Sequence, residues 1–80
     1  MRLKQALRRR ILQLCDEQGM SLTALAHKCG MTHSTLFNIV SGRNNTTTIT
    51  TIKRICDGLE IKLPVFFDSD LFRDLEQEVF

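Results

Sequence analysis

The amino-acid sequence predicts an all-α domain of five short helices with an additional short C-terminal helix. Three observations lead there. Apolar residues recur at spacings of three and four along successive runs, Ser or Thr stands just before three of those runs, and four glycines (Gly19, Gly30, Gly42, Gly58) fall near their ends. The first is the pattern of a helix with one buried face, the second supplies N-cap oxygens, and the third offers stops that tolerate positive φ. Eighty residues, 42% hydrophobic and 25% charged, match one ordinary globular domain and exclude a disordered tail.

The first run, Leu3, Leu7, Ile11, Leu14 and Cys15, predicts a helix from about Leu3 to Gln18 whose opposite face carries Arg8, Arg9 and Arg10. Ser21 then caps a second helix with Leu22, Leu25, Ala26 and Cys29 inward, ending at Gly30. Thr32 caps a third, with Leu36, Ile39 and Val40 inward and Gly42 closing it. Only Gly30, Met31 and Thr32 separate the two helices, a corner too tight for antiparallel neighbours, so they are expected to cross steeply. Arg43 to Thr47 has no apolar anchor and reads as an exposed loop. Thr48 or a neighbouring threonine caps a fourth helix with the stripe Ile49, Ile52, Ile55, Cys56 and Leu59. Pro64 suits the first turn of a fifth that buries Val65, Phe66 or Phe67. A last segment, capped near Asp68 or Ser69, sets Leu71, Phe72, Leu75 and Val79 on one helical face.

The net charge of +2 conceals a division. Residues 1–54 hold nine basic side chains against two acidic ones, a balance of +7, whereas residues 55–80 hold two basic against seven acidic, a balance of −5. One part of the molecule attracts polyanions and the other repels them. No apolar stretch approaches the roughly 18 residues of a membrane span, and the basic start lacks a secretory apolar run, so the expected location is cytoplasmic. Cys15, Cys29 and Cys56 are odd in number, form no C-x-x-C pair and fall within apolar stripes, which predicts reduced core residues.

The window from Leu22 to Ile39 places Ala26, Gly30, Leu36 and Ile39 where a helix-turn-helix needs a small residue under the crossing, a left-handed turn and two core anchors. The segment SLTALAHKCGMTHSTLFNIVSGR (Ser21 to Arg43), followed by TITTIKRICDGLEIKLPVFF (Thr48 to Phe67), resembles the Xre/Cro-type, lambda repressor-like helix-turn-helix family in order, length and apolar pattern. The resemblance covers roughly residues 3 to 67. It implies a DNA-binding domain over residues 1–67, with the helix-turn-helix at 22–41, and it leaves 68–80 as a C-terminal extension.

The family resemblance further implies that the third helix enters the major groove of double-stranded DNA, which makes its outward residues His33, Ser34, Phe37 and Asn38 the base readers. Their chemistry suits the role. Asn38 can pair bidentately with adenine, His33 and Ser34 can donate or accept at several base edges, and Phe37 can touch a thymine methyl or pack locally. Phosphate positioning falls to Ser21 with the N-terminal amides of the second helix, Thr32, Arg43 and Asn44, with Lys28 and part of the run Arg8 to Arg10 as nearby charge. Three features depart from the family pattern. Leu22 stands where a glutamine often reaches DNA, threonines stand where proline often follows the basic loop, and Cys15 with Val40 replaces a polar pair by an apolar one.

One reading helix spans too few base pairs for discrimination, so a homodimer on two half-sites about one helical turn apart is expected. Leu71, Phe72, Leu75, Val79 and Phe80 are one candidate interface; the other reading folds this segment back on its own subunit and leaves the fifth helix to make the dimer. A transcriptional repressor, a Cro-like switch and a toxin–antitoxin regulator with a toxin partner stay open, as does a protein-interaction module using Phe37 and the terminal apolar stripe. The sequence carries no phosphate-binding glycine loop, nucleophile elbow or H-E-x-x-H motif, and His27, Cys29 and His33 lack zinc-site spacing. No enzyme activity, cofactor, metal or small-molecule ligand is expected.

Overall fold

The computed structural model describes residues 1–42 and 47–78. It is all-helical: α1 (Leu3–Glu17), α2 (Leu22–Cys29), α3 (His33–Val40), α4 (Ile49–Leu59) and α5 (Leu63–Phe67), then a single 3-10 turn at Asp70–Phe72. Helix α2 packs on α3 and α4, α1 on α3, and α4 on α5. Ile11, Leu25, Leu36, Ile52, Ile55, Leu59 and Phe66 meet at the centre with essentially no exposure. These are the apolar positions of each helical stripe, and their burial is the main stabilising term.

Hydroxyl caps start three helices. Ser21 Oγ accepts from the Ala24 amide, Thr32 Oγ1 from Thr35 and Thr48 Oγ1 from Thr51, each at 3.1 Å. Pro64 lies in the first turn of α5, where its missing N–H costs nothing. Phe66 is the residue that α5 buries, while Val65 remains 50% exposed.

Four expectations are corrected. Gly58 does not stop α4 but lies inside it, where an added Cβ would sit 2.6 Å from Cys29 Sγ. Glu60 takes the left-handed cap instead, at φ 58°, and the Ile61 amide donates to the Cys56 carbonyl across it at 3.0 Å. Ile49, in the first turn of α4, is 61% exposed because that turn projects beyond the core. Arg10, expected on the solvated face, is only 8% exposed. Its Nε donates to the Phe66 carbonyl at 2.7 Å, Nη2 to Val65 at 2.8 Å and Nη1 to Gln13 Oε1 at 2.8 Å, so the guanidinium caps the C-terminal end of α5.

The fourth correction concerns only the length of the additional C-terminal helix, which is present as the 3-10 turn capped by Ser69. Beyond the 3-10 turn the described chain is non-helical. Phe72 packs with Phe66 and Phe67 at ring-centroid separations of 6.0 and 5.0 Å, and the Glu76 amide donates to the Met1 carbonyl at 3.0 Å. Segment 68–76 thus lies on its own chain, where the 3-10 turn packs on α1 and the aromatic cluster and the backbone bond to Met1 take the place of a continued helix; Val79 and Phe80 lie outside the described residues.

All three cysteines are buried with free thiols. Burial pushes each thiol above its ordinary pKa, most directly by desolvation, so at neutral pH they remain protonated and weakly nucleophilic. Cys15 and Val40 both enter the core, in keeping with an apolar pair at those positions. No helix among the described residues is long and apolar enough to cross a membrane.

Candidate nucleic-acid interface

The corner between α2 and α3 is built around Gly30, which adopts φ 69° and ψ 30°. A side chain there would be strained, whereas glycine lets the Met31 amide close back on the Ala26 carbonyl at 2.9 Å. The corner is also held from outside. Arg54, on α4, donates through Nη2 to the carbonyls of Cys29 at 3.1 Å and Gly30 at 2.9 Å, satisfying groups that the end of α2 leaves open. Sequence reasoning counted Arg54 only as positive charge, because its partners lie more than twenty residues away along the chain.

Leu36, Ile39 and Val40 bury one face of α3. The opposite face presents His33, Ser34 and Phe37 as exposed residues, with Asn38 half-buried at its edge and Ser41 exposed beside them. Spacings of one, four and five residues bring the four proposed readers onto a single side of the helix. Phe37 is 42% exposed, an unusual setting for a large apolar ring, and it stacks on His33 with centroids 5.9 Å apart and planes 22° from parallel.

Ser21 and Thr32, expected at phosphates, have their side-chain oxygens engaged as caps, yet the Ser21 hydroxyl keeps its own hydrogen to donate. Thr32 Oγ1 also shares a hydroxyl hydrogen bond of 2.8 Å with Thr35 Oγ1. Either threonine can be the donor, and in both cases the pair retains one hydroxyl hydrogen for an outside acceptor. Thr35 was therefore missed as a member of this corner, although an N3 hydroxyl three residues after a capping threonine is legible as a local pair.

The arginine run separates by direction. Arg9 is exposed and Arg10 points inward, while Arg8 Nη1 lies 3.3 Å from the point where a Cβ on Gly42 would sit, at the far end of α3. Arg8 is thus the member of the run closest to α3. Arg43 and Asn44 lie outside the described residues. Among the described residues no three His, Cys, Asp or Glu side chains gather as a metal site would require.

No curated protein and no solved structure gives a significant match. A helix-turn-helix family model does match, over residues 11–66, which takes in α1 from Ile11 onward, the whole of α2 to α4, and α5 through Phe66. Five helices without a strand among the described residues, a glycine corner before an outward-facing α3 and this match together place the chain in the Xre/Cro/CI-type helix-turn-helix family of DNA-binding regulators.

Proposed function

We propose that the protein is a sequence-specific transcriptional regulator, acting as a repressor, whose α3 reads the major groove of an operator. The observation that carries this reading is the outward face of α3: a capped helix start, two amide- or imidazole-bearing side chains, two hydroxyls and one aromatic ring, all turned away from a core that fixes the helix behind them. Asn38 reads adenine, His33 and Ser34 contact neighbouring base edges, and Phe37 touches an apolar group in the groove. Ser21, Thr32, Arg43 and Asn44 position the phosphates, with Arg8 and the Thr35 hydroxyl as additions from the geometry.

Helix α3 has eight residues, about 12 Å at 1.5 Å per residue, and so spans about four base pairs. That is too little for operator selection, and a homodimer on two half-sites supplies the remainder. With the aromatic part of segment 68–76 engaged on its own chain, the exposed Val65 on α5 offers the better place for the two-fold contact. Selection of bound fragments from random duplex DNA tests the whole reading. A palindrome is expected, and failure to enrich any duplex in dilute salt overturns it.

Asn38→Ala is expected to weaken binding to the selected operator by about 1–3 kcal/mol, roughly 5- to 150-fold, with non-specific affinity nearly unchanged. Titration against operator and unrelated duplex in one buffer checks this, and equal losses on both would remove Asn38 from the readers. Arg43→Ala is expected to weaken all duplexes alike and to reduce the slope of log affinity against log salt by about one unit. An unchanged slope over a salt series would take Arg43 off the phosphate contacts.

The runner-up is a protein-interaction module on the same fold, favoured only by the exposure of Phe37. A hydrophobic interface does not lose affinity log-linearly with salt, so the same series separates the two.

A further inference from the structure

Phe37 is the one strongly apolar element on the exposed face of α3. The His33 ring, one helical turn earlier, is stacked on it, and the Thr32 cap holds the backbone from which His33 projects. The two rings form a small plate with a mainly apolar surface and an imidazole at one end. Ser34 and Asn38, beside it, carry the hydrogen-bonding groups.

We infer that this His33–Phe37 plate is a detector of the C5-methyl group of a pyrimidine, an inference that rests on α3 entering the major groove. The floor of that groove is lined by donors and acceptors, and its only apolar substituent is the methyl at pyrimidine C5. An aromatic ring set against a bare polar base edge strips water from it without offering a hydrogen bond, which is unfavourable. Set against a methyl, the same ring removes apolar surface of both partners from water. The plate therefore favours sequences that place a methyl beneath it and disfavours those that place an amino or carbonyl edge there. Its stacking also matters, because a ring already held in one orientation loses less rotamer freedom on contact than an unsupported phenylalanine.

Thymine and 5-methylcytosine both carry this group at the same position of the ring. The plate contacts the methyl without reading the pyrimidine's other edge atoms, so both sources are recognised; modification of cytosine at that position strengthens binding.

The test uses the duplex selected from random DNA. Each thymine is replaced in turn by deoxyuridine, which removes the methyl and leaves every hydrogen-bonding group in place, and wild-type affinity is measured by fluorescence anisotropy. One thymine position per half-site is expected to lose about fourfold on this replacement, the factor for burying one methyl-sized group. A second arm places cytosine, then 5-methylcytosine, opposite guanine at the same position, and the methylated duplex is expected to bind about fourfold more tightly than the unmethylated one. Phe37→Ala, whose folding is checked by thermal denaturation, is expected to bind the thymine and deoxyuridine duplexes alike, and His33→Ala is expected to reduce the discrimination.

A selected duplex whose binding is indifferent to every deoxyuridine replacement overturns the detector while leaving major-groove reading intact. So does discrimination that survives in Phe37→Ala, which would put the methyl contact elsewhere. A protein that selects no duplex at all instead sinks the reading on which the detector rests. Sensitivity to uracil without sensitivity to cytosine methylation restricts the plate to thymine and overturns its indifference to the source.

Discussion

Arg10→Met is expected to lower the unfolding free energy by about 3 kcal/mol, well beyond the range of ordinary surface substitutions. Methionine preserves much of the apolar stem and removes only the charged fork. What is lost is the pair of donors to the Val65 and Phe66 carbonyls, at 2.8 and 2.7 Å, together with the bond to Gln13 Oε1. A hydrogen bond from a charged donor contributes roughly 1.5–3 kcal/mol, and a buried carbonyl left without its donor costs about 1–3 kcal/mol. Water reaching part of the vacated site offsets some of that. Helix α5 has only five residues and cannot persist without tertiary support, so Phe66 loses its anchor together with the carbonyls. Urea denaturation checks the value: the midpoint should fall with the slope preserved. Arg10→Lys should recover only part of the loss, since an ammonium cannot reproduce the two-pronged geometry, whereas Ala at the adjacent, exposed Arg9 should stay within about 0.5 kcal/mol of wild type. Equal behaviour of the Arg9 and Arg10 variants would show that the inward guanidinium contributes nothing.

Gly58→Ala is expected to destabilise the domain by about 1–3 kcal/mol through overpacking, although the same exchange in an unconstrained helix interior stabilises by about 1 kcal/mol. The sign reverses because the new methyl would meet Cys29 Sγ at 2.6 Å, with the Cys29 amide nitrogen and Leu25 Cδ1 both at 3.3 Å. A backbone atom cannot swing aside, so α2 must move away from α4. Cys29→Ala removes the nearest of the three obstacles. The double variant Cys29→Ala/Gly58→Ala should therefore be more stable than the sum of the single changes predicts, by about 1 kcal/mol of coupling. Thermal denaturation of the four proteins closes the cycle, and strict additivity would mean that the approach of sulfur to Gly58 is not what restricts this position.

The elements that sequence periodicity predicted well are those whose causes are local. Stripes at spacings of three and four gave α1 to α4, and the caps Ser21, Thr32 and Thr48 act within three residues of themselves, so short windows contain both partners. His33, Ser34, Phe37 and Asn38, the proposed readers, share a side of α3 for the same reason. Gly58 was misjudged because its requirement comes from Cys29, on another helix. Arg10 and Arg54 were read only as charge because the carbonyls they bind lie 56 and 55, and 25 and 24, residues away. In the tail, Leu71, Phe72 and Leu75 have helical spacing, but the aromatic contacts of Phe72 and the Glu76 to Met1 backbone bond are satisfied by a non-helical path. Periodicity reports which residues want burial and is silent about which partner buries them.

The grip of Arg54 on the end of α2 bears on transplantation. Residues 21–42 contain both helices and the turn, yet the guanidinium that pins their joint arrives from α4, 24 positions beyond Gly30. A graft of that stretch into a foreign scaffold would carry the outward side chains of α3 but leave their hinge pin behind, and the angle at which the two helices cross would become a property of the host.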